Sequence, residues 1–203
     1  MMDCVTEPAF TFYPQQVFAD GELELIPPDA IWIDAILREC AEAKTRQLDP
    51  RLAQTTRQQL LEFLHAAPGG RVAGDARRSQ VPAYHFWMRW RDETTGRYRM
   101  GGGIGLRIGS TPDLQLYAGH VGYHVYPPAR GRHFAERACR LLQPVLKHHG
   151  VSPVWITCNP DNLPSRRTCE RLGATYIETV DVPMSHPFFS RGETKKCRYR
   201  WEI

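Results

Sequence analysis

The stretch YPPARGRHFAERACRLL, Tyr126 to Leu142, joins a strand-like segment to a helical one within a few residues. Pro127 and Pro128 end ladder pairing, and an Arg-Gly-Arg turn follows before a helical apolar pattern begins. The first turn of a helix has backbone N–H groups without intrahelical partners and carries the positive end of the helix dipole. A strand that runs directly into such a turn can hold an anion such as a phosphate. A solvated basic turn is the alternative interpretation of the same residues.

Length and composition are those of an ordinary globular protein. We expect the 203 residues to form a single domain over 1–203, and 42% hydrophobic residues are enough for a core. The net charge of +4 suits a small anionic ligand and falls far short of the dense basic surface of a nucleic-acid binder. No apolar run approaches the roughly 20 residues of a membrane span, so no membrane partner is expected. The first ten residues lack the pattern of a secretory signal.

Cysteine spacing bears on the compartment and on metal binding. The chain has no C-x-x-C pair, and its six cysteines are Cys4, Cys40, Cys139, Cys158, Cys169 and Cys197. This irregular spacing predicts neither a disulfide framework nor a zinc site. We therefore expect reduced, mostly buried cysteines in a cytoplasmic protein that binds no metal.

Apolar periodicity along the chain predicts an α/β fold. The predicted strands are 21–27, 83–90, 97–108, 116–126, 154–158, 174–182 and 195–203. The predicted helices are 29–44, 55–66, 131–149 and 163–172, the third of them kinked near Arg140 by Pro144. Antiparallel strands followed by strand–helix alternation predict a mixed, mostly antiparallel sheet of about seven strands with helices on both faces.

Two segments resemble motifs of the Gcn5-related N-acetyltransferases, the GNAT family. Residues 130–135 follow the family's acyl-CoA loop pattern Q/R-x-x-G-x-G/A, with His133 in place of the first motif glycine. Asn162, Ser165 and Gly173 match the next family segment, in which N-x-x-[AS] is followed by a glycine eleven residues after the asparagine. The two motifs occur in the family's order and spacing.

The resemblance implies a fold, a cofactor and an activity. Residues 81–127 are similar to a predicted-acetyltransferase branch of the family, and clear resemblance runs from Val81 to Glu178. It implies a GNAT fold splayed at the fourth and fifth strands, and direct transfer of acetyl from acetyl-CoA (coenzyme A) to a primary amine. The acceptor would be a small molecule or a peptide, and a homodimer is compatible. A non-catalytic module that binds or senses acyl-CoA, and RNA or DNA binding through the arginines, are the alternatives.

The resemblance also implies cofactor-binding residues. Backbone N–H groups of the loop would hold the pyrophosphate, the arginines would add charge-assisted contacts, and the end of the fourth strand would pair with the pantetheine amides. The implied residues are Tyr123, His124, Val125, Arg130, Gly131, Arg132, His133, Phe134, Ala135, Asn162 and Ser165. Asn162 is equally well explained as a helix N-cap. The side chain of His133 either crowds the pyrophosphate or points outward.

The candidates for proton transfer are His120, Tyr123 and Cys169. Cys169 lies seven residues after Asn162, where many relatives carry a tyrosine that protonates the departing thiolate. A thiol could serve as that acid, although buried packing is the more common role of cysteine. His120 lies where relatives often place a base, with His124 and Tyr123 as further candidates and a structural role as the alternative for each. The loop 67–82 is either a mobile lid or disordered, and the long loop 182–195 is a candidate for an acceptor contact, a surface excursion or a dimer contact.

Overall fold

Two antiparallel sheets form the frame of the computed structural model, which describes residues 10–46, 50–75 and 80–203. The strands are β1 (Phe18–Ala19), β2 (Leu23–Ile26), β3 (Arg71–Val72), β4 (Ala83–Arg91), β5 (Tyr98–Arg107), β6 (Val121–Val125), β7 (Val154–Cys158), β8 (Thr175–Asp181) and β9 (Lys195–Trp201). The helices are α1 (Ile33–Thr45), α2 (Pro50–Ala53), α3 (Arg57–Ala66), α4 (Phe134–Leu141), α5 (Gln143–His148) and α6 (Leu163–Leu172).

The strand order divides the fold between β6 and β7. The first sheet has the order β1-β2-β4-β5-β6 with β3 paired to β4, and the second has the order β7-β9-β8. Among the described strands, β6 and β7 share no ladder, and they meet where His120 N–H donates to the carbonyl of Trp155 at 2.7 Å. The splay predicted between the fourth and fifth strands is therefore confirmed.

Helices cover both faces of the first sheet, as predicted. On one face, Ile104 and Leu106 of β5 pack in a cluster that includes Phe134 of α4 and Leu146 of α5. On the other face, a second cluster contains Trp87 of β4 together with buried apolar residues of α1 and α3, namely Ile33, Ile36, Cys40, Ala43 and Leu60. Each fully buried aliphatic side chain of this kind contributes about 1.5–3 kcal/mol to folding.

The predicted strand 116–126 is wrong in its first half. Residues 114–118 instead form a wide helical turn, in which the N–H of Gly119 donates to the carbonyl of Leu114 at 2.8 Å. The sequence TPD before this turn is typical of a helix start, and the Thr111 hydroxyl accepts from the N–H of Leu114 at 3.2 Å. Gly119 ends the turn at φ 69°, in the left-handed region that glycine adopts at low cost.

The kink predicted from Pro144 is a complete break. Leu142 has φ −93° and ψ 3°, and it separates α4 from α5. Pro144 lies in the first turn of α5, where its missing N–H removes no helical hydrogen bond. Both short helices still bury their apolar faces in the same cluster.

Candidate functional site

A cavity of about 210 Å³ lies between β6 and β7, where the two sheets diverge. Its lining comes from both strands, from the turn before β6, from the start of α6 and from the segment between β8 and β9. The polar and aromatic residues that line it are Arg107, Tyr117, Tyr123, Thr157, Asn159, Asn162, Ser165, Phe188, Glu193 and Lys196. This is the space in which the sequence resemblance places the reacting end of an acyl thioester.

His120 links the two sheets by hydrogen bonds beside this cavity. The N–H of Trp155 donates to Nδ1 of His120 at 2.8 Å, and Nε2 lies 2.9 Å from the carbonyl of Gly109. These two contacts fix the tautomer, with the proton on Nε2 and the Nδ1 lone pair already engaged. Burial lowers the pKa of His120, which is 3% exposed, and this favours the neutral ring. The structure therefore does not support the predicted role of His120 as a general base.

The free edge of β6 is open toward β7. Tyr126 N–H donates to the carbonyl of Gly101 at 2.8 Å, on the side of β5. Because backbone groups alternate in direction along a strand, those of Tyr123 and Val125 point away from β5. The carbonyl of Val125 accepts from Nε of Arg130 at 3.2 Å. This edge fits the pantetheine pairing that the sequence implies for residues 123–125.

The loop after β6 presents the uncapped start of α4. His133 is the N-cap residue, and its side chain makes no capping hydrogen bond. The first helical bond runs from the N–H of Arg137 to the carbonyl of His133 at 3.0 Å, so the N–H groups of residues 134–136 have no intrahelical acceptor. Gly131 is exposed at φ 85°, with open space where a side chain would project. These features fit the binding of a diphosphate.

His133 adopts the left-handed conformation, with φ 57° and ψ 24°. It is the one non-glycine residue with positive φ in the described part of the chain. This explains why the family pattern has a glycine at this position, because the turn requires a conformation that side chains disfavour. The imidazole is exposed, so the substitution leaves the backbone path of the loop intact.

The arginines of the loop are less available to phosphate than the sequence predicts. Nη1 of Arg132 pairs with Oε1 of Glu22, and the guanidinium lies 5.7 Å from the ring centroid of Trp90. Arg137 pairs with Asp20 at 2.5 Å and with Glu22 at 2.8 Å. The predicted phosphate contact of Arg132 is therefore not supported, because acidic side chains of the segment before β2 already neutralise these guanidinium groups.

Tyr123 and Ser165 form a hydroxyl pair at the cavity. Their oxygens are 2.9 Å apart, and either can be the donor. Burial raises the pKa of Tyr123 well above its usual value, and the nearby thiols of Cys169 and Cys139 act in the same direction. Tyr123 therefore keeps its proton at neutral pH, and the pair can donate a proton into the cavity through either hydroxyl.

Cys169 lies behind this pair rather than in the cavity. Its side chain is fully buried, and burial raises the pKa of the thiol to about 12. The structure therefore does not support direct protonation of a departing thiolate by Cys169.

Asn162 is the N-cap of α6, because its Oδ1 accepts from the N–H of Ser165 at 3.2 Å, and it also lines the cavity. Gly173 ends α6 at φ 78°, as predicted.

Three charged residues of the cavity were missed in the sequence. Nζ of Lys196 donates to Oδ1 of Asn159 at 2.7 Å, pairs with Glu193 and lies 4.6 Å from the ring centroid of Phe188. Arg107, at the end of β5, contributes a guanidinium. The length of the 182–195 loop was the one signal pointing to Glu193. No signal marked Arg107, because only strand pairing brings the end of β5 beside the start of β6.

His124 lies outside the residues that line the cavity. It is exposed on β6, where its ring lies 5.4 Å from that of Tyr126. A methyl group at Gly103 would come within 2.9 Å of its Cε1, so the imidazole covers this glycine. The cofactor contact predicted for His124 concerns the backbone of the strand end, and it stays a prediction.

The described residues form neither a metal site nor a membrane span. Over 10–46, 50–75 and 80–203, no group of three or more His, Cys, Asp or Glu side chains is arranged to hold a metal ion. Within the same ranges, no helix combines the length and the apolar character needed to cross a membrane. The five cysteines described, at positions 40, 139, 158, 169 and 197, are free and buried.

Comparison with known protein families gives one match over most of the chain. Residues 23–175 match the model of the acetyltransferase (GNAT) domain family. That range includes both motifs noted in the sequence, the loop after β6 and the start of α6. None of the curated proteins matches the chain significantly.

Solved structures share the fold over nearly the whole chain. The microcin C7 self-immunity acetyltransferase MccE, solved with acetyl-CoA and AMP, is 15% identical, with a TM-score of 0.62 over 91% of this chain and 94% of that one. RimL, a ribosomal L7/L12 alpha-N-protein acetyltransferase solved with coenzyme A, is 15% identical and has a TM-score of 0.62. The match covers 93% of this chain and 98% of RimL. A proposed ribosomal-protein-serine acetyltransferase from Vibrio cholerae is 16% identical and has a TM-score of 0.62. The match covers 94% of this chain and 99% of that one.

Proposed function

The chain belongs to the GNAT acetyltransferase family, and from this premise we propose that it transfers an acetyl group from acetyl-CoA to a primary amine. The observation that carries the proposal is the cavity between β6 and β7, which joins an open strand edge to the hydroxyl pair of Tyr123 and Ser165. Two of the similar structures were solved with acetyl-CoA or coenzyme A, which agrees with this cofactor.

The proposed cofactor contacts use backbone groups more than side chains. N–H groups from Gly131 to Glu136 would hold the diphosphate, and the free edge of β6 at Tyr123 and Val125 would pair with the pantetheine amides. Bound acetyl-CoA supplies the acetyl group as a thioester whose carbonyl carbon is attacked by the amine. The N–C bond forms, the C–S bond breaks, and the sulfur leaves as a thiolate.

Two groups in the cavity move protons in this proposal. The hydroxyl pair of Tyr123 and Ser165, which keeps its protons at neutral pH, hydrogen-bonds to the sulfur as the C–S bond breaks and is the proposed proton source for the thiolate. Glu193, whose carboxylate also pairs with Lys196, accepts the proton that the attacking ammonium loses, either directly or through water. Among the described residues that line the cavity, Glu193 is the one that carries a carboxylate.

Direct transfer is favoured over an acetylated enzyme. Cys158 lines the cavity, but burial raises the pKa of its thiol to about 11, so it is not a thiolate at neutral pH. Among the described histidines, none has a hydrogen bond to this thiol, so the pattern of an activated nucleophile is missing. A cytoplasmic location stays a prediction from the cysteine spacing.

The test combines calorimetry with an assay of free thiol. We expect acetyl-CoA to bind and thiol to be released when a suitable amine is added. Ser165→Ala and Tyr123→Phe should lower kcat by roughly 10²-fold, since a positioned proton donor contributes about this factor. Tyr176→Phe, at an exposed tyrosine on β8, is the matched control and should leave kcat unchanged.

Two outcomes would contradict the proposal. Failure of well-folded protein to bind either coenzyme A or acetyl-CoA would remove its basis. Binding without thiol release across a broad amine panel would favour the non-catalytic acyl-CoA module. Nucleic-acid binding is disfavoured because Arg137 and Arg140 pair with Asp20 and Glu136 within the protein.

A further inference from the structure

We propose that Arg107 binds a carboxylate of the acceptor, so that the acceptor is an amine that also carries a carboxylate group. This inference rests on the proposed acetyl transfer and names the class of its second substrate. Arg107 lines the cavity between β6 and β7 and lies beside Gly122, where an added methyl group would be 3.4 Å from Nη1.

The guanidinium of Arg107 has unused hydrogen-bonding capacity. Nη1 donates to the carbonyls of Ala118 at 3.3 Å and Gly119 at 3.2 Å. In the described part of the chain, Nε and Nη2 have no hydrogen-bond acceptor, and no carboxylate forms an ion pair with this side chain. The carboxylate of Asp113 acts on the charge of Arg107 through space, but its Oδ1 is hydrogen-bonded to Nε2 of His186 at 2.7 Å. The Nε–Nη2 edge of an arginine matches the two oxygens of a carboxylate.

An unneutralised guanidinium in this position requires an explanation. Burial lowers the pKa of Arg107, which means that its surroundings destabilise the charged form. Several other buried or half-buried arginines, such as Arg99 with Glu39 and Glu42, do have carboxylate partners. An anion that enters the cavity would supply the missing partner of Arg107 and would be bound in poorly solvated surroundings.

The phosphates of the cofactor are too far away to be that anion. Gly122 is four residues before Tyr126, where the diphosphate loop begins, and a strand rises about 3.3 Å per residue, which gives roughly 13 Å. The missing anion therefore belongs to the acceptor. A carboxylate has one negative charge and so matches a single guanidinium. A dianion would need a second cation, and the other cation of the cavity, Lys196, already pairs with Glu193.

Glu193 completes a site for both charges of such an acceptor. Arg107 complements the carboxylate of such an acceptor, and Glu193, although paired with Lys196, has further carboxylate lone pairs that can accept from its ammonium group. The cavity volume of about 210 Å³ suits a small charged group. Free amino acids and peptides with an acidic first residue both present this chemistry.

The test compares acceptors that differ only in the carboxylate. Glycine, alanine and aspartate are each compared with their amides, and the peptide Asp-Ala amide is compared with Asn-Ala amide. We expect kcat/KM to be at least tenfold higher for the acids. A larger difference among the amino acids identifies a free amino acid as the acceptor, and a larger difference between the two peptides identifies a peptide. Arg107→Gln should reduce kcat/KM by about 10- to 100-fold for the acids and little for the amides, the usual range for a hydrogen bond to a charged group.

Matched variants separate this role from a structural one. Arg107→Lys keeps the charge and should retain part of the preference, whereas Arg97→Gln removes an exposed arginine of the β4–β5 hairpin and should change nothing. Affinity for coenzyme A should be the same in all variants. Equal rates for acids and amides, or equal losses for both in Arg107→Gln, would overturn the assignment while leaving acetyl transfer intact.

A binding measurement covers the case in which no tested amine is acetylated. With coenzyme A present, calorimetry should detect N-acetylglycine or N-acetylaspartate but not their amides, and Arg107→Gln should abolish the signal. Failure of both acids to bind the coenzyme-loaded protein would overturn the role of Arg107. Failure of coenzyme A itself to bind would instead overturn the proposed function on which the inference rests, and the inference with it.

Discussion

His133 shows how one residue can depart from a motif without changing the backbone that the motif requires. Its φ of 57° is the conformation that glycine adopts at little cost, and histidine tolerates it better than most residues do. The strain is on the order of 1 kcal/mol and lies in a turn whose N–H groups we assign to diphosphate binding. The exposed imidazole leaves those groups accessible.

Substitution of His133 should separate backbone strain from side-chain effects. His133→Gly relieves the strain but increases the freedom of the unfolded chain, so we expect the free energy of unfolding to change by about 1 kcal/mol or less, in the stabilising direction. His133→Val should destabilise by roughly 1–2 kcal/mol, because a β-branched residue fits the left-handed region poorly. Urea unfolding measures both changes, and equal stability of the Val and Gly variants would contradict the assigned strain.

Local chemistry at single residues was predictable, and contacts across the fold were not. The capping role of Asn162, an open alternative in the sequence, and that of Gly173 follow from neighbours within a few residues, and the structure shows both. The partners of His120 are Gly109 and Trp155, 11 and 35 residues away, so its sequence position could not reveal that both ring nitrogens are engaged. The burial of Cys169 follows the common behaviour of cysteine.

Among the elements, the segment before β6 shows why periodicity misled the strand prediction. LYAGHVGYHVY alternates well enough to resemble one long strand, but Gly119 at φ 69° ends a helical turn within it. A methyl group on Gly119 would lie 3.1 Å from the N of Thr157, so the turn packs directly against β7. The TPD sequence and the glycine were the local signals for this turn, and the apolar pattern outweighed them.

The N-cap of α6 supports both the helix and the cavity. Asn162→Ala removes the acceptor for the N–H of Ser165, so we expect a loss of about 1 kcal/mol in the free energy of unfolding. Asn162→Ser restores a capping oxygen and should recover most of that loss. Chemical denaturation measures both, and if Asn162→Ala proved as stable as the natural protein, the capping bond would contribute nothing.

Over the whole molecule, the site forms where two sheets meet at a small number of hydrogen bonds. Its lining residues come from β5, from β6, from β7 with the start of α6, and from the segment before β9. The sequence motifs identified the loop after β6 and the start of α6, which are continuous segments. Arg107 and Glu193 are 86 positions apart and share the cavity only because of the strand order, so sequence patterns could not unite them.

Buried histidines should make the whole fold sensitive to mild acid. Burial lowers the pKa values of His85 and His120 below the ordinary 6.5, so the unfolded chain binds more protons than the folded one as pH falls below about 6.5. Stability is therefore fully present above that pH and decreases toward pH 5, by up to about 1.4 kcal/mol per pH unit for each histidine.

Denaturant titrations at several pH values can check this dependence. His85→Gln should reduce the slope of unfolding free energy against pH between 6.5 and 5, whereas His65→Gln, at an exposed position on α3, should leave the slope unchanged. An unfolding free energy that stays constant from pH 7 to pH 5 would show that neither buried imidazole resists protonation.

The outer edge of β8 is available for pairing with a further strand. No strand in the described ranges covers that edge, and Tyr176 and Ile177 beside it are 48% and 42% exposed. Edge-to-edge addition of a second β8 would extend the three-stranded sheet across a twofold axis. In such a pair, β9 would separate each cavity from the axis. Each site would then lie within its own copy and share no lining residue with the other.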